Sequence, residues 1–196
     1  MEIRLMRMEG LPEALFGIGL SYGLTSEYEV WDDVPFDRRM KLQEIAAKLC
    51  KAGAGEDKFL RQIVCWWDVR APRYWWAEAD TFKVGTVAQS ESTMHTITRR
   101  PLNALVDFEE PVDGDVLNRL NDHIRWYNET KGDVEEFMAI KNMLPEGFLQ
   151  RRVWTLNLAN MKNIYRQRRN HRLPQWHAVC DAFVEATPGF LTRMYE

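Results

Sequence analysis

The pattern of hydrophobic and polar residues predicts β-strands in three stretches. Residues Glu2–Met8 (EIRLMRM) alternate one by one, which is typical of a half-buried strand. Residues Ile63–Val69 (IVCWWDV) form an apolar run rich in β-favouring side chains, which indicates a buried strand. Residues Leu149–Asn157 (LQRRVWTLN) predict a further strand. The chain is therefore expected to contain a sheet.

The remaining pattern is mainly helical. Pro12 begins a helix that extends through Ser21-Tyr22, and Asp115 is expected to cap a helix that ends near Asn128. Further helices are predicted from about Phe36 to Lys51, after Pro72, up to Met143, over Leu158–His171, and from Gln175 to about Ala186. Strands mixed with helices, without repeats or a low-complexity linker, predict an α/β (or α+β) fold in which residues 1–196 form a single domain.

Composition and charge place the chain among soluble globular proteins. It has 196 residues, 45% of them hydrophobic and 28% charged, which suits one domain of ordinary size. The net charge of −3 argues against a general nucleic-acid binder. No apolar run is long enough to span a bilayer, and the first ten residues contain no signal-peptide core. We therefore expect a cytoplasmic protein that binds neither nucleic acid nor membrane.

The cysteines and tryptophans are expected to be structural. Cys50, Cys65 and Cys180 are odd in number, widely spaced and without a CxxC pair, which predicts reduced thiols in the core. The histidines have no acidic or thiol neighbours at metal-ligand spacing, so no metal site is expected. The 8 tryptophans are many for this length, and burial in the core is their commoner fate.

One helix carries a cation where its apolar stripe should continue. Leu158, Met161 and Tyr165 lie at helical spacing, and the next position of that stripe is Arg168. A guanidinium there either extends to solvent or meets an anion. A second face carries only amides, which suit flat heterocycles because each offers a donor and an acceptor: Asn160, Asn163, Gln167 and Asn170. The alternative, a carboxylate partner for Arg168 and solvated amides, stays open.

The preceding helix shows a similar interruption. Val134, Phe137 and Met138 form an apolar stripe that Lys141 continues. A lone lysine at a helix end usually complements the helix dipole. Two cations that interrupt two successive apolar stripes nevertheless favour a shared anionic ligand. Neither a Walker loop nor a GxGxxG or GxSxG motif is present.

The C-terminal part resembles the flavin-dependent thymidylate synthases. The family has a cation followed by Leu-Pro, a strand that ends in Thr-x-Asn, then Asn-x5-Asn-x4-Arg and Gln-Trp, and residues 141–176 follow that order. The resemblance implies that Lys141 contacts a nucleotide and that Asn157 and Asn163 lie near the flavin. It also implies that Arg168 contacts the pyrimidine of dUMP and helps to polarise it. Gln175-Trp176 matches with one extra residue before it.

A second block, residues 69–86, resembles the strand, proline, helix and signature loop of the family, but departs from the signature. The family reads Arg-His-Arg-x-x-Ser, whereas this chain has Thr81, Phe82, Lys83 and Thr86 at the named positions. Only one cation is kept, and no Ser-x-Arg-Tyr follows, although Ser90 and Ser92 offer hydroxyls. Two weaker matches are Ser21-Tyr22, at the end of the N-terminal helix, and Gln62, near the family's histidine.

The resemblance implies a homotetramer with active sites shared between subunits. FAD binds centrally and dUMP stacks on it, while NADPH and methylenetetrahydrofolate act as co-substrates, and no protein nucleophile is used. From it we expect Arg168 to be catalytic and Lys141, Ser90 and Ser92 to bind substrate with it. Residues expected to bind the cofactor are Ser21, Lys83, Thr86, Asn157 and Asn163.

Two hypotheses follow: a divergent enzyme that acts on dUMP or a related pyrimidine nucleotide, or a non-catalytic relative that binds or sequesters a nucleotide. Short divergent relatives of this kind are plausible in phages or mobile elements. A structural oligomer without a ligand is the blandest alternative.

Overall fold

Three of the four strands lie where the hydrophobic pattern predicts them. In the computed structural model, which describes residues 1–53 and 55–196, the strands are β1 (Glu2–Glu9), β2 (Val64–Pro72), β3 (Val87–Ser90) and β4 (Leu149–Asn157). They form one sheet in the order β1–β2–β4–β3. Strand β3 was not predicted, because it is only four residues long and largely exposed.

Backbone hydrogen bonds at both ends of β2 set its register with β4. The Leu158 amide donates to the Ile63 carbonyl at 3.0 Å, and the Arg73 amide donates to the Phe148 carbonyl at 3.1 Å. The residue numbers fall along β4 as they rise along β2, so the two strands are antiparallel. The same register places Arg151 opposite Arg70.

The helices agree with the helical periodicity in most of their bounds. They are α1 (Leu11–Ser21), α2 (Phe36–Ala52), α3 (Arg73–Ala79), α4 (Thr93–Thr96), α5 (Gly114–Glu129), α6 (Val134–Met143), α7 (Leu158–Arg168) and α8 (Pro174–Ala186). Short 3₁₀ turns occur at Trp31–Asp33, Lys58–Arg61 and Gly189–Tyr195. A mixed α/β fold is therefore confirmed.

Two helix ends differ from their predictions. Helix α5 is capped by Asp113 and not by Asp115, because the Asp113 carboxylate accepts from the backbone amides of Asp115 and Val116. Helix α7 ends at Arg168, three residues before the predicted end at His171. The stretch after Thr86, for which neither a strand nor a helix was predicted, contains β3 and the one-turn helix α4.

The chain divides into two compact units, each made of several segments. Unit 1 consists of Met1–Glu2, Val69–Phe82 and Ala88–Val153, and unit 2 consists of Ile3–Asp68, Lys83–Val87 and Trp154–Glu196. The assignment of residues 1–196 to one domain stays a prediction.

The core of unit 1 is built mainly from helices α5 and α6 and the segment before them. Its buried members are Ile97, Leu102, Phe108, Leu120, Ile124, Ile140 and Leu144. Trp75 and Trp76 of α3 are also buried and pack edge to face, and the Trp76 indole donates to the Gln150 carbonyl at 2.9 Å. Arg152 lies over the Trp76 ring and pairs with Asp80. These tryptophans therefore hold α3 against β4.

The predicted stripe of α6 is wrong in part. Val134 and Met138 are exposed, and Phe137 is only partly buried. Ile140 is the buried residue of this helix. Lys141 consequently does not interrupt a core stripe, because the stripe that we inferred from spacing mixes the exposed and buried faces of the helix.

The core of unit 2 includes buried residues of α2, β2, β4 and α8. Trp67 and Trp154 both pack against Phe183 of α8, with ring centroids 5.2 and 6.3 Å away. Cys50, Cys65 and Cys180 are buried free thiols, as predicted. Burial raises the pKa of Cys65 to about 12, and burial with the nearby Asp181 raises the pKa of Cys180 to about 11.

Candidate functional site

The predicted site residues belong to different units. Unit 2 contains Ser21, Lys83, Thr86, Asn157, Asn163 and Arg168, and unit 1 contains Ser90, Ser92 and Lys141. The residues of each unit are described separately below.

The start of α7 holds part of the degenerate signature segment. The Asn157 side chain accepts from the Asn160 amide at 2.9 Å, and the Asn157 amide in turn donates to the side-chain oxygen of Asn160, which forms a capping box. The Asn160 side chain also donates to the Val84 carbonyl at 2.8 Å. This contact brings the segment that carries Lys83 and Thr86 to the N-terminus of α7, beside Asn157.

Gly85 makes that approach possible. Its φ is +73°, a left-handed conformation that residues with a Cβ adopt only with strain. A Cβ at this position would lie 3.0 Å from Oδ1 of Asn160 and 3.4 Å from Nδ2 of Asn157. The structure thus places the Val84–Gly85 backbone, which lies between Lys83 and Thr86 in the chain, against the start of α7, through a residue that the sequence reasoning did not single out.

Arg168 ends α7 with its guanidinium over an aromatic ring. Leu158 and Met161 are fully buried, Tyr165 is half-buried, and Arg168 is also half-buried. The guanidinium carbon lies 5.2 Å from the centre of the Trp176 ring, a distance at which a cation is attracted to the ring face. The Gln175-Trp176 pair, which is buried at the start of α8, therefore helps to fix the cation of the candidate site.

The amide face of α7 has a local explanation in part. Asn163 is exposed, and its side-chain oxygen accepts from the Gln167 side chain at 3.0 Å. This is an i, i+4 pair on a solvent-facing surface. Asn160 is engaged in capping, as described above. Three of the four amides of this face, Asn160, Asn163 and Gln167, thus have structural partners.

A pocket of about 630 Å³ lies in unit 2 beside the end of α1. Its lining includes Ser21, Tyr22 and Gln62, three residues that the resemblance singled out. Lys58 and Glu56 add one charge of each sign, and the rest of the described lining is Ala14, Gly17, Ile18, Leu49, Gly55 and Phe59. The pocket thus joins polar groups to an apolar wall, which is the usual character of a small-molecule site.

A buried ion pair fixes one rim of this pocket. Lys162 of α7 is 3% exposed, and its ammonium donates to the Asp57 carboxylate at 2.5 Å and to the Cys50 carbonyl at 2.7 Å. Asp57 stands between the lining residues Glu56 and Lys58. Sequence reasoning missed this contact; the available signal was a lysine directly after Met161, beside the apolar stripe of α7.

In unit 1, the hydroxyl group of Thr93 orients the side chain of Lys141. Its ammonium donates to Oγ1 of Thr93 at 2.6 Å. Burial, and then the nearby Arg73, hold the pKa of Lys141 below its ordinary value. Ser92 directly precedes α4, and its carbonyl accepts from the amides of His95 and Thr96, while Ser90 is exposed on β3. The structure therefore brings Lys141 next to Thr93 and places Ser92 one residue away in the chain.

Neither a metal-binding cluster nor a membrane-spanning helix occurs among residues 1–53 and 55–196. No group of three or more His, Cys, Asp or Glu side chains in that part of the chain is arranged to hold a metal ion. No described helix is both long and apolar enough to cross a bilayer.

Comparisons with known proteins identify the fold. No protein-family model matches the sequence, and no curated protein matches it. The chain is similar to a crystal structure of the flavin-dependent thymidylate synthase ThyX from Helicobacter pylori complexed with FAD and dUMP, with a TM-score of 0.73 and 15% identity. A second crystal structure of this ThyX with FAD and dUMP gives a TM-score of 0.74 and 14% identity. Both likenesses cover 100% of this chain and 98% of the other. At this identity they show a shared fold.

Proposed function

We propose that the chain is a divergent flavin-dependent thymidylate synthase-like protein that binds FAD and a pyrimidine nucleotide. The observation that carries this proposal is the shared fold, because it extends over the whole of both chains and the matched ThyX structures hold FAD and dUMP. The order of motifs from Lys141 to Trp176 supports it independently, since those motifs were identified from the sequence alone.

The pocket beside Ser21 suits the ring system of a flavin. Ser21, Tyr22 and Gln62 offer hydroxyl and amide groups that both donate and accept hydrogen bonds, as the edge of a heterocycle requires. Lys58 is the one cation of the described lining. We assign Ser21, Asn157 and Asn163 to the ring system, and Lys83 with Thr86 to the remainder of the cofactor. A bound reduced flavin, recharged by NADPH, would supply the hydride, and methylenetetrahydrofolate would supply the methylene.

We assign the nucleotide to Arg168 and Lys141, the two cations that the resemblance matches to nucleotide contacts. Arg168 is held over Trp176, and a fixed cation stabilises negative charge that develops on a pyrimidine ring. Lys141, with Ser90 and Ser92, would bind the anionic part of the substrate. The product would be dTMP from dUMP, or a related modified pyrimidine nucleotide. We further propose, from the resemblance, a cytoplasmic homotetramer with shared sites.

A non-catalytic relative that binds or sequesters a nucleotide is the second candidate. One observation favours it: Thr81, Phe82 and Thr86 stand in a signature that carries two arginines in the family, and Lys83 is the one cation kept there. Each lost charge-assisted hydrogen bond is worth about 1.5–3 kcal/mol. The Lys83–Val84–Gly85 stretch is also exposed, so it would bind the diphosphate of a flavin weakly.

The absorbance spectrum of the purified protein tests the proposal. We expect a flavin spectrum, either directly or after incubation with FAD and removal of the excess. A protein that stays colourless after that incubation contradicts the flavin proposal. Thermal stabilisation by dUMP that is lost in Arg168→Ala would then support the second candidate, because a ligand stabilises only the state that binds it.

A further inference from the structure

Unit 1 contains a second pocket, of about 510 Å³, that the proposed flavin chemistry does not use. It lies where β2, β4 and the segment between α4 and α5 meet. Four arginines and two carboxylates occur in its described lining: Arg70, Arg99, Arg100 and Arg151, with Glu91 and Asp107. This excess of guanidinium groups contrasts with the net charge of −3 of the whole chain.

Two of the arginines are oriented by hydrogen bonds to neighbouring residues. Arg100 forms two hydrogen bonds to Asp107, at 2.6 and 2.7 Å, and Asp107 is 4% exposed. The Asn103 amide donates to the same carboxylate at 2.7 Å. Arg70 donates to the Val106 carbonyl, while its nearest carboxylate, the exposed Glu2, is 3.7 Å away. Donors fixed in this way lose little side-chain entropy when an anion binds.

Arg99 supplies the charge that is not already engaged. It is an exposed residue of the pocket lining, and no carboxylate among the described residues pairs with its guanidinium. The remaining lining is apolar and includes Ile97, Leu102, Phe148 and Leu149. An apolar floor with convergent guanidinium groups suits a tetrahedral polyanion, since arginine binds phosphate with two parallel donors.

We propose that this pocket, formed by Arg70, Arg99 and Arg100, binds a phosphoryl anion, either free or as the phosphate of a nucleotide. The inference goes beyond the proposed flavin and pyrimidine site and depends on neither Arg168 nor the pocket beside Ser21. A chain that binds no flavin can still bind phosphate here.

Calorimetric titration of the full chain with inorganic pyrophosphate tests this assignment. The variant is Arg99→Glu, and the matched control is Arg119→Glu, an exposed arginine of α5 outside the pocket. Both substitutions change the net charge by the same amount, so a difference between them reports position. We expect the control to bind within about twofold of the parent and Arg99→Glu to bind at least about tenfold more weakly. Equal affinities of the two variants, or no binding of pyrophosphate by the parent at millimolar concentration, would overturn the proposal.

Competition identifies the source of the phosphate. Displacement of pyrophosphate by dUMP but not by deoxyuridine would support the pocket as a nucleotide-phosphate site. Pyrophosphate binding that dUMP leaves unchanged would support a site for free phosphoryl anions. Flavin absorbance of Arg99→Glu is expected to equal that of the parent, which separates this proposal from the flavin proposal.

Discussion

Residues 149–176 and residues 81–93 both lie in or beside the blocks that resemble the family, but they differ in burial. The first stretch includes a strand and a helix that carry fully buried apolar residues, among them Leu156, Leu158 and Met161. The second is mainly exposed: the side chains of Val84 and Val87 are 88% and 69% accessible. Core packing therefore positions the polar residues of the first stretch, whereas single hydrogen bonds, such as that from Asn160 to the Val84 carbonyl, position the second.

This difference separates stability from binding. Substitutions in the first stretch should alter the free energy of unfolding, whether or not a ligand is present. Apart from Gly85, whose backbone is left-handed, exposed residues of the second should be replaceable with that free energy nearly unchanged, so that their substitutions act on binding. A fold can thus persist while a surface segment that binds a cofactor diverges.

The sharpest test truncates one aliphatic residue in each stretch. Leu156→Ala should lower the free energy of unfolding by about 2–5 kcal/mol, because it removes a fully buried side chain and leaves a cavity. Val84→Ala, at an exposed position, should change it by less than about 0.5 kcal/mol. Urea unfolding measures both values, and comparable losses in the two variants would break the comparison.

Removal of the buried cation of α7 should have the next largest effect. Lys162→Met leaves the Asp57 carboxylate without its partner, and we expect a loss of about 3 kcal/mol in urea unfolding. The control is Lys51→Met, which breaks the exposed pair of Lys51 with Glu196 and should change the stability far less, because solvent screens an exposed pair. Similar values for the two variants would mean that the Asp57 contact does not fix the pocket rim.

The pH dependence of dUMP binding tests the proposed role of Lys141. Its pKa lies below the ordinary lysine value because of burial and the nearby Arg73, so its positive charge is lost earlier as pH rises. Binding should therefore weaken, by about tenfold, as pH increases toward the lysine range. Lys141→Arg stays charged throughout and should show a flatter profile by calorimetry. Parallel profiles for parent and variant would remove Lys141 from the nucleotide site.

The smallest effect concerns the two asparagines assigned to the cofactor. Asn157→Ala removes the cap of α7 and should cost about 1 kcal/mol of stability. Asn163→Ala, at an exposed position, should cost less than about 0.5 kcal/mol. Both should weaken FAD binding, measured by flavin fluorescence. Loss of stability in Asn163→Ala would show that the exposed amide face is structural.

The sequence alone predicts those strands and helices in which the pattern of hydrophobic residues is strong. Strand β4 has the predicted bounds, and in its second half the buried Trp154 and Leu156 alternate with half-buried residues. Strand β3 could not be predicted in this way, since four residues with exposed side chains carry no hydrophobic pattern. The stripe of α6 was misassigned for a related reason: exposed Val134 and Met138 are apolar, and spacing alone does not distinguish an exposed apolar residue from a buried one.

Among the candidate site residues, helical periodicity singled out Arg168 and, on a stripe that the structure does not contain, Lys141, whereas most of the others came from the resemblance to the family. Arg168 follows buried residues of α7, which identified it before the ring contact with Trp176 was known. Gly85, Asp57 and the arginine pocket gave no local signal, because their roles depend on residues that are distant in the chain. Asp57 and Lys162 are more than one hundred positions apart, and a contact of that separation leaves no trace in periodicity.

Titration of dUMP into the FAD-treated protein, followed by calorimetry, tests the central claim most directly. The parent chain and Arg168→Lys, which keeps the charge but loses the planar fork, are compared at one salt concentration. The account predicts that dUMP binds the parent and binds Arg168→Lys at least about tenfold more weakly, with both proteins equally stable to urea. Equal affinities for dUMP, or no binding by the parent, would contradict the account.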